Sequence, residues 1–244
     1  MSNELYVSAR YLPFGDNALL VEFSDTISLE ANLKVTVLSE AVTKAKMRIE
    51  ELVPTYRSLL IRYDPLKTTY EQLVFQLKDL EKTLDKPSPE TKRQKIAIPV
   101  VYGGEYGPDL AYVAKHHRLT EQQVVKLHSS REYRVYMIGF VAGFPYLGEV
   151  SDEIATPRLE TPRLKVPAGS VGIAETQTGI YPCEAPGGWQ IIGRTPLVLF
   201  NPMQQPPTPL KAGDTVNFEA ISEKEFRTIE KQTRTKLSQR NKSE

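Results

Sequence analysis

Strand-like runs rich in apolar residues span Tyr6 to Leu12 and Ala18 to Phe23, on either side of a Pro13-Phe14-Gly15-Asp16 turn. This pattern predicts a hairpin. The period then changes. Leu29, Leu33, Val37, Leu38, Ala41, Val42 and Ala45 recur at three and four residues, the spacing of one buried helical face, and Ser28 is placed to cap that helix. Ser58 to Tyr63 reads as a buried strand, and Tyr70, Leu73, Val74, Leu77, Leu80 and Leu84 mark a second amphipathic helix. Each such helix residue contributes about 1.5–3 kcal/mol when fully buried, ample to dock both helices on a sheet. Residues 1–84 thus read as a small α+β domain in which nothing looks chemical.

Asp85 to Gln94 is polar, charged and broken by two prolines, so it is read as a linker. Lys95 to Tyr102 is strand-like, and a glycine-rich turn, Gly103 to Pro108, follows. Two helices come next: Asp109 stands where it could cap the first, which ends near His117, and Thr120 with Gln123 forms a capping box for the second. Beyond Ser130 short strands and tight loops continue to a Gly213-Asp214 turn and a last strand, Thr215 to Ile221. The fold expected for 95–222 is an all-β barrel with a small helical insertion. Residues 223–244 alternate charges with few apolar positions, which predicts a solvated helix fraying into a charged tail.

Composition narrows the function classes. With 31 basic and 30 acidic residues the formal charge is +1, so no global field draws nucleic acid or an anionic membrane. The charge-free stretch Val135 to Gly148 is shorter than the roughly 20 residues a membrane helix needs and holds three glycines and a proline. A single cysteine, Cys183, and an N-terminus without signal-peptide features predict a reducing, cytoplasmic setting. Cys183 has an acidic neighbour, Glu184, which opposes thiolate formation, and is expected to be buried.

Candidate chemistry concentrates between Val135 and Arg194, where glycines, prolines, arginines and aromatics crowd more densely than core packing requires. Two copies of Thr-Pro-Arg-Leu place Arg158 and Arg163 five residues apart on proline-stiffened backbone. Their planar donor forks suit a carboxylate, a phosphate or a developing oxyanion, although surface salt bridges are the plainer use. Ser170, in Ala168-Gly169-Ser170-Val171-Gly172, falls one residue short of a nucleophile elbow and precedes a strand instead of a helix, so a hydrogen-bonding role is expected. The Gly103 to Gly107 loop lacks the Gly-Lys-Ser or Gly-Lys-Thr ending of a P-loop. His116 and His117 close a helix, where a cation offsets the dipole. His128 matches no common zinc spacing but could act as an acid or base; no metal site is expected. Trp189 either walls a pocket or fills the barrel.

Taken together, Gly139-Phe140, Gly143 to Gly148, Pro162-Arg163, Val166 to Gly172, Gln177 to Pro182 and Pro186 to Thr195 resemble the PxpB/KipI family, also labelled allophanate hydrolase subunit 1-like. The likeness extends over nearly the whole chain, beginning at Pro13 to Ala18. One departure is Ala142-Gly143-Phe144, where the family usually has Pro-Gly-Phe. The resemblance implies an α+β fold class, an N-terminal α+β domain followed by a cyclophilin-like β-barrel. It also implies a subunit that works with PxpA-like and PxpC-like partners to open the lactam of 5-oxoproline to L-glutamate at the expense of ATP, the nucleotide being bound at the level of the complex. A fused relative in urea carboxylase suggests docking on a PxpC-like barrel. The alternative it offers is a KipI-like inhibitor that docks on a sensor histidine kinase through exposed aromatics such as Phe144, Tyr146 and Trp189. The expected site comprises Arg158, Arg163, Arg194 and His128 for chemistry, with Tyr146, Ser170, Gln177, Tyr181 and Trp189 holding the substrate.

Overall fold

In the computed structural model the described residues are 5–84 and 94–240. The chain divides into two compact units, Met1–Lys92 and Arg93–Glu244. The division falls inside the Asp85–Gln94 segment, of which only Gln94 is among the described residues.

The first unit is an antiparallel sheet carrying two helices. Its elements are β1 (Leu5–Pro13), β2 (Ala18–Ser24), α1 (Leu29–Lys44), β3 (Glu51–Pro54), β4 (Ser58–Arg62) and α2 (Tyr70–Lys82), with sheet order β1-β2-β4-β3. The predicted hairpin is present, its turn passing through Gly15 at φ 69°. Strand β3 is not apparent in the sequence, since four residues ending in Pro54 are too short to show a period.

Helix α1 is capped by Ser28, whose Oγ accepts from the Ala31 N–H, but its buried face is turned from the expected one. Ala31, Val35, Leu38 and Val42 face the core with Asn32 and Thr36, whereas Leu29 is 47% exposed and Ala45 is on the surface. The reason is polar. Asn32 donates to the Thr55 carbonyl at 3.2 Å and Thr36 to the Asn32 carbonyl at 2.9 Å, so both amide and hydroxyl are buried with partners. Helix α2 follows its pattern: Leu73 and Leu77 are buried, and Thr69 with Gln72 completes a capping box.

The second unit is a closed barrel of order β10-β7-β6-β13-β5-β12-β9. In chain order it contains β5 (Lys95–Tyr102), α3 (Leu110–His116), α4 (Glu121–Ser129), β6 (Glu132–Ile138), β7 (Pro145–Gly148), β8 (Arg163–Val166), β9 (Ser170–Ala174), β10 (Gln177–Ile180), β11 (Ala185–Gly187), β12 (Gln190–Arg194), β13 (Thr215–Ala220) and α5 (Glu223–Arg240). Strands β8 and β11 form a separate two-stranded ribbon. Strand β13 pairs with β5 in parallel, and the other barrel pairs are antiparallel. Ile98, Val100, Val135, Leu147, Val171, Ile173, Ile192 and Val216 fill the interior. The α4 capping box of Thr120 and Gln123 is present as predicted. Helix α5 is not merely solvated: Phe226 is buried against Val101 and Tyr106, its ring 4.9 Å from that of Tyr106.

His128, at the end of α4, belongs to this core and has no exposure. Thr178 donates its hydroxyl to the Gly172 carbonyl at 2.9 Å, so it accepts from His128 Nε2–H, also at 2.9 Å; Nδ1 then accepts from Tyr102 O–H at 2.8 Å. Both ring nitrogens are thereby used. Burial pushes His128 down to about 3, and the ring is neutral at pH 7. Between about pH 6.5 and 3 the unfolded chain therefore binds a proton that the folded chain refuses. Urea unfolding should show stability lost as pH is lowered through that window, by up to about 1.4 kcal/mol per unit. His128→Gln should reduce that slope; an unchanged slope would deny His128 this role.

Candidate functional site

The loop after Thr156 owes its shape to backbone tethers. Thr156 bridges to Glu175 and is held by His117, whose Nε2 lies 3.1 Å from its Oγ1. Leu159 N–H donates to the Gly188 carbonyl at 2.7 Å, and Gln190 Nε2 donates to the Pro157 carbonyl at 2.8 Å. The first Thr-Pro-Arg-Leu copy is thus pinned over Trp189, and the second runs into β8, where Arg163 pairs with Gly187 of β11.

Arg163 is held from two sides. It donates to Asp109 Oδ1 at 2.6 Å and to the Trp189 carbonyl at 3.3 Å. The other carboxylate oxygen of Asp109 accepts the Ile191 N–H at 2.6 Å. Asp109 occupies the N-cap position of α3 without capping it, contrary to the sequence expectation, because its carboxylate is already spent on an arginine and a strand amide. Arg158 is exposed, forms no ion pair among the described residues, and places its guanidinium carbon 5.9 Å from the Trp189 ring.

Beneath these cations lies an aromatic cluster. Phe144 meets Trp189, Tyr181 and Tyr146 at ring separations of 5.4, 5.1 and 4.8 Å. Gly187 is required here, since a Cβ would sit 2.1 Å from the Tyr181 hydroxyl. Burial raises Tyr146 and lifts Tyr181 to about 12, while Arg158 pulls both down and Arg163 also acts on Tyr181. Both phenols are consequently neutral at pH 7, hydrogen-bonding groups and not bases. Phe144 and Trp189 are only 1% and 6% exposed, so they do not form the open docking surface expected of them.

The expected site is therefore divided. Arg158, Arg163, Tyr146, Tyr181 and Trp189 come together. Arg194 does not join them: it packs over Tyr106 at 5.7 Å, opposite Ser170 across the β9–β12 pair. Gln177 opens β10 on the same outward strand face as Gly179, which touches Phe144. His128, enclosed in the core, is corrected from acid or base to a packing role, because it has no route to a guest and no free nitrogen. Cys183 is exposed, not buried. Asp109 is the residue that sequence reasoning missed. Its local context, after Pro108 at a helix start, looks like a cap, and its arginine partner lies 54 positions away.

No described group of three or more His, Cys, Asp or Glu could hold a metal ion, and no described helix is long and apolar enough to cross a membrane. A cavity of about 1080 Å³ in the first unit, lined by Met47, Lys67 and Phe75 among others, contains none of the expected site residues. Asp109→Asn should loosen Arg163 and cost about 1–3 kcal/mol of stability in urea unfolding. In a double-mutant cycle with Arg163→Gln the two losses should be non-additive, and strict additivity would mean the pair is uncoupled.

Comparison with known proteins gives this geometry a lineage. Residues 9–210 match the family model described as carboxyltransferase domain, subdomain C and D. The chain is 41% identical over 230 residues to the 5-oxoprolinase B subunit of Bacillus subtilis, covering 90% of this chain and 95% of the relative. It is 40% identical over 210 residues to that of Escherichia coli O157:H7, covering 86% and 95%. Among solved structures, TTHA0988 superposes with a TM-score of 0.75 at 35% identity, over 84% of this chain; the chain spans 40% of that protein's length. PH0987 of Pyrococcus horikoshii is 50% identical with a TM-score of 0.54, covering 89% of this chain and all of that one. The resemblance to PxpB/KipI read from the loops holds: the chain belongs to the carboxyltransferase subdomain C and D family and is a relative of the 5-oxoprolinase B subunits.

Proposed function

We propose that this chain is the B subunit of an ATP-dependent 5-oxoprolinase and opens 5-oxoproline to L-glutamate together with PxpA-like and PxpC-like subunits. The observation that carries the reading is the near full-length match, at 39–41% identity, to three 5-oxoprolinase B subunits. A lactam is resonance-stabilised, and transfer of a phosphoryl group to its carbonyl oxygen would make the ring carbon open to water. The sequence lacks a P-loop, so the nucleotide belongs to the complex and not to this chain alone.

In this reading the substrate is received at the exposed Arg158, whose charge is not matched among the described residues, with the half-buried neutral Tyr146 phenol within reach of that charge, while the buried rings of Trp189, Tyr181 and Phe144 beneath hold the loop in place. Arg163, neutralised by Asp109, positions the Trp189 backbone. Mixing the chain with its candidate partners should release glutamate from 5-oxoproline only when ATP is present; no release in any combination would remove the proposal. In an active mixture, Arg158→Ala should lower turnover about 10- to 100-fold through the loss of one charged hydrogen bond, with the melting temperature unchanged.

A further inference from the structure

Strand β12 slips its register against β9 between Ile191 and Gly193. Ile192 lies in the central core, and Gly193, opposite the core residue Val171, also faces inward: a Cβ there would stand 2.6 Å from a Val100 methyl. Two consecutive inward residues reverse the phase of the strand. Simple alternation would send Arg194 inward with Ile192, but the bulge turns it to the outer face, directly across from Ser170.

What Arg194 meets there is incomplete. It forms no ion pair among the described residues, and its Nε is shut off from solvent without a hydrogen-bond partner. Ser170, with no exposed surface, has an Oγ in the same condition. Two buried donor groups of neighbouring strands, one of them cationic, share one face and lack acceptors. Beside them opens a cavity of about 310 Å³ lined by Gly169, Arg194, Thr195, Leu197, Phe226 and Glu230, among others. Gly169, at φ 81°, lets the two strands close on each other: a Cβ would come within 2.4 Å of the Thr195 carbonyl oxygen. Its N–H is already given to the Tyr181 carbonyl, which leaves Arg194 as the charged donor of the lining.

We infer that this cavity binds a small organic monocarboxylate, its carboxylate taken by the Arg194 guanidinium. The lining decides the class. Among the described lining residues Arg194 is the single cation, and Pro182, Pro196, Leu197, Val198 and Phe226 offer carbon walls. Phosphate or a nucleotide would meet too little positive charge, and the volume is at the small end of metabolite sites. The segment Tyr181-Pro182 separates the two places, with Tyr181 in the aromatic cluster below Arg158 and Pro182 in this cavity. The inference stands apart from the oxoprolinase reading, because it concerns binding by the full chain alone.

Titration calorimetry of the full chain with sodium propionate, and separately with inorganic phosphate, tests it. Propionate should bind saturably with a dissociation constant of about 1 mM or tighter, and phosphate should bind more weakly. Arg194→Gln should weaken propionate at least about 10-fold. Should Arg194→Gln fail to fold, the native chain still decides: propionate should move the Gly169 and Thr195 amide resonances in a saturable manner. No saturable heat, no movement of those resonances, undiminished affinity in Arg194→Gln, or tighter binding of phosphate would each overturn the inference.

Discussion

In the wall of a closed barrel alternate side chains are sent into a filled interior, and that constraint assigns a role to each residue of the second unit. On β10, Thr178 points inward and anchors His128, whereas Gly179 faces out and lets the Phe144 ring lie against the strand. On β9, Val171 and Ile173 are core, and the outward Gly172 makes room for Trp189. Interior positions offer no access to a guest, so everything chemical must be built on the outer face or on loops pinned against it. Both groupings described above obey this rule.

Electrostatics then separates arginines that look alike in sequence. Arg163 faces a carboxylate whose remaining oxygen holds a strand amide, which makes it a fixed part of the framework. Arg158, five residues earlier in the same repeated tetrapeptide, has an aromatic face beneath it and no counter-ion among the described residues. Asp109 is the cause of that difference. It turns one of two equivalent cations into structure and leaves the other for a guest. Such pairing also fixes the backbone of Trp189 and Ile191 on either side of Gln190, whose amide reaches back to the loop that carries Arg158.

Features governed by local chemistry were legible in the sequence. The capping box of Thr120 and Gln123, the Ser28 cap, the α2 stripe and the barrel strands Lys95–Tyr102 and Thr215–Ala220 follow from residue spacing alone. The α1 face was misjudged because spacing counts apolar residues, and here an asparagine with a partner 23 positions away turns inward in place of Leu29. The loops that carry the family likeness also marked where aromatics and arginines gather. What they could not show is which arginine is neutralised, since that depends on a long-range contact with Asp109. Nor could they show the phase reversal in β12, which arises from two strands pairing out of step.

The parallel pairing of β5 with β13 has a consequence for how the molecule is made. These are the first and last strands of the barrel, yet they lie side by side from Lys95–Thr215 to Val100–Ala220. During synthesis the emerging wall stays open along that seam until the final strand leaves the ribosome, and loop-closure entropy must be met before the seam rewards it. The first unit pairs only strands that are close in the chain, and it can fold while the barrel is still being translated. The topology thus permits one order of assembly, with the sheet domain formed early and the barrel closed only once its last strand is present.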